Sequence, residues 1–560
     1  MYRALVLIAL TLGLAVGGIV LAPPAWWPES WQQAVFTRKV PAYEAPPASS
    51  PPVELATEAI CNEPFPEWRA AQTLDGVAIE ASPRCNPDAP AEVAAFVKGT
   101  NNVSPDVLMR TRLASDAVVK GADRDGDGDA DEIHLRLEVA ELNGASPDGL
   151  APSLDYAIAP GIRPGFWVFA PKSRGMATKT SENSAAYRTL RVPSPVIRVE
   201  QGDTVKITLE NTHTMPHTIH FHGVDHPYVG AQGDGNDGVP LTSEMPVMPG
   251  ESRTYEMTPR QAGTMFYHCH VQPAVHILMG LQAMFVVEEN RPNNPVQTFN
   301  VGAGQVRARS QASQEAYDRE YDLHYQEVDR EMHDLVRLSN DPRRVIKEIH
   351  RRYDITERSS DYFLLNGRSF PYTARESLIV VAPNERVRLR VANGGAEGVA
   401  LHTHGHKVTV THTDGVPVPP ATQLIRDVVW VAPMQRADLL LETVDDGLHS
   451  YGQGVWLMHD HHAPAVTNNG IGPGGGISAI VYESYLVDGG LPKLQGVDWS
   501  PYFSPAFYAG RVPIWQTYDP LGTLADVAPE SWPTLRPILF GLDIGLLLAV
   551  LFALMRRRRA

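Results

Sequence analysis

Cysteine is scarce in this chain, with three in 560 residues, so a small disulfide-stapled scaffold is excluded. Positive charge is in deficit. Lys and Arg number 48 against 64 Asp and Glu, a net charge of −16. A surface of that sign argues against nucleic acid as a partner, because phosphate binding needs the opposite sign. It is compatible with cationic donors or metal ions. Long apolar runs are missing from the interior and occur only at the two ends. What is present points to a folded, β-rich chain. Hydrophobic residues make up 43%, in the range of globular rather than disordered proteins. The 45 Gly and 47 Pro favour many turns over a helical bundle. At about 100–200 residues per domain, the length predicts three or four domains.

Residues 1–23 form an N-terminal membrane anchor or signal segment, because Ala4–Leu21 is uncharged and close to the ~20 apolar residues that span a bilayer as a helix. Residues 536–556 read as a C-terminal transmembrane helix. Its apolar run is followed by Arg556–Arg559, which predicts a cytoplasmic C-terminus. The remainder is then expected at the cell membrane on the extracytoplasmic, periplasmic side. There Cys61 and Cys85 are expected to form a disulfide. They lie in residues 24–131, a Pro-rich tether and extension. Near its end stand Asp123, Asp125, Asp127, Asp129 and Asp131, alternating around glycines. Acidic side chains so spaced predict a structural Ca²⁺ loop, although His134 stands where an EF-hand has its bidentate Glu.

From residue 132 the pattern becomes short alternating strands separated by turn signals, an all-β reading of sandwich type. Two stretches repeat each other: Pro195–Gly223, ending HTIHFHG, and Leu378–Gly405, ending LHTHG. Each is strand, turn, strand, then His-x-His-Gly, followed by a second His pair, in YHCH (Tyr267–His270) and MHDHH (Met458–His462). The chain is therefore divided into domain 1 (132–290), a linker (291–315), domain 2 (316–490) and a tail (491–535). The charged stretch Asp318–Arg352 is expected to carry a short helix.

Residues i and i+2 of a strand share a face, so each His-x-His presents two imidazoles side by side, and neutral imidazole suits Cu, Zn, Fe and Ni. Four such pairs at matched positions in two repeats predict a metal site. In domain 1, His217, Cys269 and His276 supply two imidazoles and one thiolate, the donor set of a trigonal blue-copper centre. The motifs HTIHFHG, YHCHVQPAVHILMGL, LHTHGH and HDHHAPAVTNNGIGPGGG together resemble the multicopper oxidases. The resemblance is to the two-domain, laccase-like kind with type 1 copper in the first domain, a group related to the copper nitrite reductases.

The resemblance implies two cupredoxin-like Greek-key β-barrel domains, to which the composition and the terminal apolar runs add an N-terminal extension and a membrane helix at each end. It implies four coppers per chain. His217, Cys269 and His276 would hold type 1 copper, and His220 and His402 type 2 copper. His222, His268, His270, His404, His459 and His461 would hold the type 3 pair. Val399 and Asp460 stand where a second type 1 site would need His and Cys, so one electron-accepting centre per chain is expected. Leu281 stands where an axial Met is usual, with Met279 as the alternative. The implied reaction is one-electron oxidation of a donor at type 1 copper, with the edge of His276 receiving the electron, coupled to four-electron reduction of O₂ to water. Asp237 matches the family's acidic residue for proton delivery. The resemblance also implies a homotrimer with clusters at subunit interfaces.

A copper nitrite reductase is the main rival, but that family has Asp where this chain has His220 and a non-ligand where it has His270. A non-catalytic copper electron-transfer protein would use His217, Cys269 and His276 and leave eight histidines unexplained. A zinc hydrolase has no need of Cys269 between two of them. The donor, a small reducing substrate or a redox protein, is not written in the sequence.

Overall fold

The structure, a computed structural model, describes residues 117–121, 124, 131–144, 156–172, 192–290, 299–300, 304–307, 317–339, 341–487, 490–494 and 497–511, with two short strands at 72–74 and 77–79. Both expected membrane segments, Cys61, Cys85 and Asp123, Asp125, Asp127 and Asp129 lie outside the described residues. Among the described residues no helix is long and apolar enough to cross a membrane. Asp131 is buried, and its carboxylate accepts the backbone N–H of Arg124.

After a small hairpin, β1 (Gln72–Leu74) with β2 (Val77–Ile79), the first sandwich comprises ten strands. They are β3 (Val118–Gly121), β4 (Glu132–Leu142), β5 (Phe166–Pro171), β6 (Val196–Glu200), β7 (Thr204–Glu210), β8 (His220–His222), β9 (Ser252–Met257), β10 (Gly263–His268), β11 (Gln282–Glu288) and β12 (Phe299–Asn300). The second comprises β13 (Gly304–Arg307), β14 (Arg319–Val328), β15 (Tyr362–Leu365), β16 (Ile379–Val381), β17 (Arg386–Asn393), β18 (Val399–Thr403), β19 (Val408–Thr413), β20 (Val416–Pro417), β21 (Leu424–Arg426), β22 (Val428–Val431), β23 (Arg436–Glu442), β24 (Val455–Asp460) and β25 (Ser478–Tyr482).

The two sandwiches match strand for strand. One sheet runs β3-β4-β7-β9 with β5 on β4, and its counterpart β13-β14-β17-β23 has β15 on β14. The facing sheets run β6-β11-β10-β8 and β16-β25-β24-β18. Each sandwich carries the same two parallel pairs, β4 with β7 and β6 with β11, then β14 with β17 and β16 with β25. The second inserts β19–β22 where the first has a loop. Period-2 patterning produces these layers. In β7, Val205, Ile207 and Leu209 are buried in the first core while Lys206 is exposed. In β17, Val387, Leu389 and Val391 do the same for the second core.

The linker predicted at 291–315 contributes a strand to each sandwich, since β12 pairs β6 and β13 pairs β14. The charged stretch also differs from expectation. It opens as β14 and continues as two helices. After α1 (Pro273–His276) these are α2 (Arg330–Leu338) and α3 (Pro342–Arg351). Asp329 and Asp341 cap their N-termini, accepting from the backbone N–H of Met332 and Arg343, which satisfies donors a helix start leaves orphaned. Met332 and Val336, then Val345 and Ile349, each pair one turn apart, bury against the first sandwich rather than the second. Sparse apolar residues at i and i+4 were enough to dock a mainly charged segment.

A buried ionic lattice joins the sandwiches. Arg198 on β6 donates from both terminal nitrogens to Asp322 on β14, at 3.0 and 2.6 Å. Arg390 on β17 donates to Asp438 on β23 at 3.1 Å, to Glu320 on β14, and back across to Thr264 on β10 at 2.9 Å and Glu288 on β11 at 3.2 Å. All are buried, and charges removed from water persist only when paired and hydrogen-bonded.

Two predictions follow from this packing. Arg390→Met removes the cation that Glu288, Glu320 and Asp438 share and should lower unfolding stability by about 3–5 kcal/mol, read by urea denaturation. An unchanged midpoint would show the lattice is not holding the sandwiches together. Stability should also fall with acid. Burial lowers His333 to about 4 and His324 to about 3, against an ordinary 6.5. Below about pH 6.5 the unfolded chain binds protons that the folded chain refuses, so the metal-free protein loses stability as pH falls toward 4. His333→Gln should flatten that slope in urea melts across the range.

Candidate copper centres

The strand pairing places the imidazoles. β8 runs antiparallel to β10 with His220 opposite His268, and β18 runs antiparallel to β24 with His402 opposite His459. Each sandwich therefore gathers a quartet, in the first at the edge strand β8 and in the second on β18, which β22 flanks. In the first, the rings of His220, His222, His268 and His270 lie 5.0–5.6 Å apart. In the second, those of His402, His404, His459 and His461 lie 4.5–5.7 Å apart. No ring stacking or hydrogen bond joins one quartet to the other among the described residues.

Hydrogen bonds fix which nitrogen each ring offers. His220 Nδ1 donates to the Asp237 carbonyl at 2.6 Å, and His402 Nδ1 to the Asp427 carbonyl at 3.0 Å. His268 and His459 donate from Nδ1 to the carbonyls of Cys269 and Asp460, each at 2.9 Å. A neutral imidazole with Nδ1 protonated has a bare Nε2. The Nε2 atoms of His222 and His268 face each other at 2.9 Å, and those of His404 and His459 at 3.4 Å. Burial lowers His222 to about 4 and His268 to about 3, and it also lowers His270, His404 and His459. Neutral rings with converging lone pairs fit a bound transition metal.

Behind the first quartet, β10 runs into Cys269, and α1 ends at His276. Cys269 Sγ lies 3.6 Å from His217 Nδ1 and 3.3 Å from His276 Nδ1. All three are buried, and their donor atoms converge within 4.8 Å. Burial pushes the Cys269 thiol up to about 12 and holds His217 and His276 well below their ordinary value. Left to itself the thiol stays protonated, and a metal would displace that proton. Trp167 stands edge-on to His217 and His276 and keeps the pocket apolar. Leu281 and Met279 are both fully buried beside it.

Four residues that sequence reasoning did not single out serve these sites. Glu141 Oε1 accepts from His213 Nε2 at 2.8 Å, and His213 Nδ1 meets His217 Nε2 at 2.8 Å. The carboxylate thus makes His213 an acceptor for His217 Nε2–H and turns the bare His217 Nδ1 to the sulfur. Asp427 repeats the Asp237 contact in the second sandwich, but the insertion of β19–β22 hides the correspondence. His350 on α3 places Nε2 3.2 Å from His276 Nε2, a contact across 74 positions with no local signal. It corrects one expectation: the edge of His276 is covered, and His276 is 0% exposed.

Asp237 sits where it was expected to matter. Its Oδ1 lies 3.3 Å from His220 Nδ1 and 3.2 Å from His226 Nε2. Gly238 follows at a φ of +76°, and any side chain there would collide with the Ile219 carbonyl. Glycine lets the Asp237 loop lie on the backbone of His220. Asp460 occupies the strand position of Cys269. Its Oδ1 accepts from the backbone N–H of Ala400 at 2.9 Å and of His462 at 3.0 Å. His406 is buried and reaches Tyr482 Oη at 3.1 Å, while His462 lies 3.4 Å from Glu397.

Two family models, each described as multicopper oxidase, match residues 175–292 and 333–471. Both matched segments are similar to multicopper oxidases, and between them they contain every candidate copper ligand. Laccase-2 of Thanatephorus cucumeris is 27% identical over 247 residues, 41% of this chain and 35% of that protein. A copper-containing nitrite reductase of Neisseria meningitidis is 32% identical over 118 residues, 20% of this chain and 27% of that one. A blue copper oxidase structure from Nitrosomonas europaea matches with 23% identity and a TM-score of 0.46, covering 68% of this chain and 95% of its own. The chain spans less than half the length of the curated relatives it matches. That similarity makes copper the metal that best fits these donor sets, and the fold is mostly β.

His213→Phe keeps a ring but removes the acceptor for His217 Nε2–H. Copper affinity at the cysteine site should fall about 10–100-fold in a competition titration followed by blue absorption. An unchanged affinity would mean His217 is oriented by packing alone.

Proposed function

We propose that this chain is a laccase-like multicopper oxidase, coupling one-electron oxidation of a donor to four-electron reduction of O₂ to water. The observation that carries the reading is the symmetric pair of quartets behind a single Cys269. Copper, four per chain when bound, supplies the one-electron and oxygen chemistry. His217, Cys269 and His276 would hold type 1 copper, with Leu281 beside it as a non-ligand. His220 and His402 would hold type 2 copper, and His222, His268, His270, His404, His459 and His461 the type 3 pair. Cys269 is bonded through the peptide chain to His268 and His270 on either side, a short covalent path from one site to the other.

Asp237 is suited to hold a proton for the oxygen site. His226 Nδ1 donates to the Val224 carbonyl at 2.8 Å, so its bare Nε2 can approach the Asp237 carboxylate at 3.2 Å only with a proton between them. That proton sits one residue contact from His220. The nitrite-reductase alternative accounts for the cysteine site but leaves His220 and His270 without work. The non-catalytic electron-transfer alternative leaves both quartets idle.

A cluster using both quartets needs two copies of the chain, and a homotrimer closes such a head-to-tail contact. Exposed apolar residues support this. Tyr228, Leu241, Met245 and Met248 flank the first quartet's loop, while Val428, Trp430 and Leu457 flank the second. Patches of that kind mark interaction surfaces. Membrane attachment on the extracytoplasmic side and a Ca²⁺-filled acidic loop belong to the same reading and rest on sequence alone.

Copper-loaded protein should show about four coppers per chain, one type 1 and one type 2 EPR signal, and oxygen uptake with a phenolic donor. About two coppers with nitrite turnover would instead support the nitrite reductase. Mixing His222→Ala chains with His404→Ala chains, each inactive alone, should restore oxygen uptake through sites built from one intact half of each. No restoration would place the cluster within a single chain.

A further inference from the structure

Buried His276 carries a second imidazole against its Nε2 edge. The imidazole of His350 meets it at 3.2 Å between Nε2 atoms, with ring centroids 5.3 Å apart and planes at 28°. His350 is half-buried and sits beside Ile349, which anchors α3 in the first core. From His350 the path inward runs through His276 to Cys269, 3.3 Å from His276 Nδ1.

The outward side of α3 runs against the charge of the whole chain. Arg343, Arg344, Lys347, Arg351 and Arg352 are exposed along it and just beyond. Asp341 pairs Arg343 and Glu348 pairs Arg352. Arg344, Lys347 and Arg351 have no carboxylate partner among the described residues. In a chain of net charge −16, the residues over His276 present a basic face. The cationic donor that the total charge suggested would be repelled at this place.

We propose that His350 relays electrons between the basic face of α3 and His276, and that the donor docking there is a small acidic redox protein. This rests on type 1 copper being held by His217, Cys269 and His276. The reduced partner gives up one electron, His350 and His276 conduct it, and a cupric ion held by those three residues would accept it as the one-electron oxidant. No bond breaks, and the proton between the two imidazoles stays in place. Complementary charge raises the encounter rate and makes it fall with salt.

The test mixes oxidised, copper-loaded full-length chain anaerobically with reduced plastocyanin, an acidic donor, or reduced cytochrome c, a basic one, and follows bleaching of the blue band. Plastocyanin should react faster, with a rate that falls as salt rises. The triple variant Arg344→Glu, Lys347→Glu, Arg351→Glu should reverse that preference. Calorimetry should detect oxidised plastocyanin binding to the metal-free chain and not to the triple variant. His350→Phe should slow bleaching about tenfold or more while the blue band and plastocyanin binding persist. Unchanged bleaching in His350→Phe overturns the relay. Equal, salt-independent rates for both proteins overturn the acidic partner. Failure of copper to produce a blue band would instead sink the type 1 reading beneath this inference.

Discussion

Everything chemical here depends on a small constraint: one ring nitrogen of an imidazole is committed to a main-chain carbonyl so that the other is bare. A strand alone can bring histidines together, but it cannot choose their tautomers. The carbonyls of Asp237, Cys269, Asp427 and Asp460 make that choice for His220, His268, His402 and His459. At the cysteine site the same task falls to a carboxylate two residues removed, from Glu141 through His213 to His217. Strand pairing sets His220 opposite His268 and His402 opposite His459, and these hydrogen bonds orient their rings before any metal arrives.

The arrangement also explains why the sandwiches are locked together while their quartets do not meet. The Arg198 and Arg390 lattice holds the sheet faces of β6, β10 and β11 against β14, β17 and β23. A buried lattice is a costly way to gain stability, and apolar packing would often serve better. What it provides is registry: two guanidinium forks accept only one alignment of four carboxylates. With that alignment set, each quartet is left beside exposed apolar side chains, suited to contact another copy.

Much of this was legible in the sequence because duplication made it redundant. The His-x-His spacing, the alternation in β7 and β17, and Cys269 between two histidines are local patterns, and local patterns survive reading one residue at a time. The residues that escaped notice are those whose roles depend on distant contacts. His350 and His276 are 74 positions apart, Glu141 and His213 are 72 apart, and neither pair has a spacing that betrays it. Asp427 escaped because β19–β21 were inserted between it and His402, so the repeat lost its length. The charged stretch was expected to carry one short helix; that it forms two, α2 and α3, and that both dock on the first sandwich depends on distant contacts of Met332, Val336, Val345 and Ile349.

The same logic explains the asymmetry between the halves. At the strand position of Cys269 the second sandwich has Asp460, and the change is more than the loss of a ligand. Its carboxylate accepts two backbone N–H groups, from Ala400 beside His402 and from His462 after the second pair. Burial raises its proton affinity, and those hydrogen bonds offset part of the cost of charge there. The thiol of Cys269 is instead directed away from its own strand toward His217 and His276. A position that joins two metal sites in one repeat thus braces one pair of histidines in the other. Electrons would then have a single way in, through the half whose outer surface α3 covers with arginine and lysine.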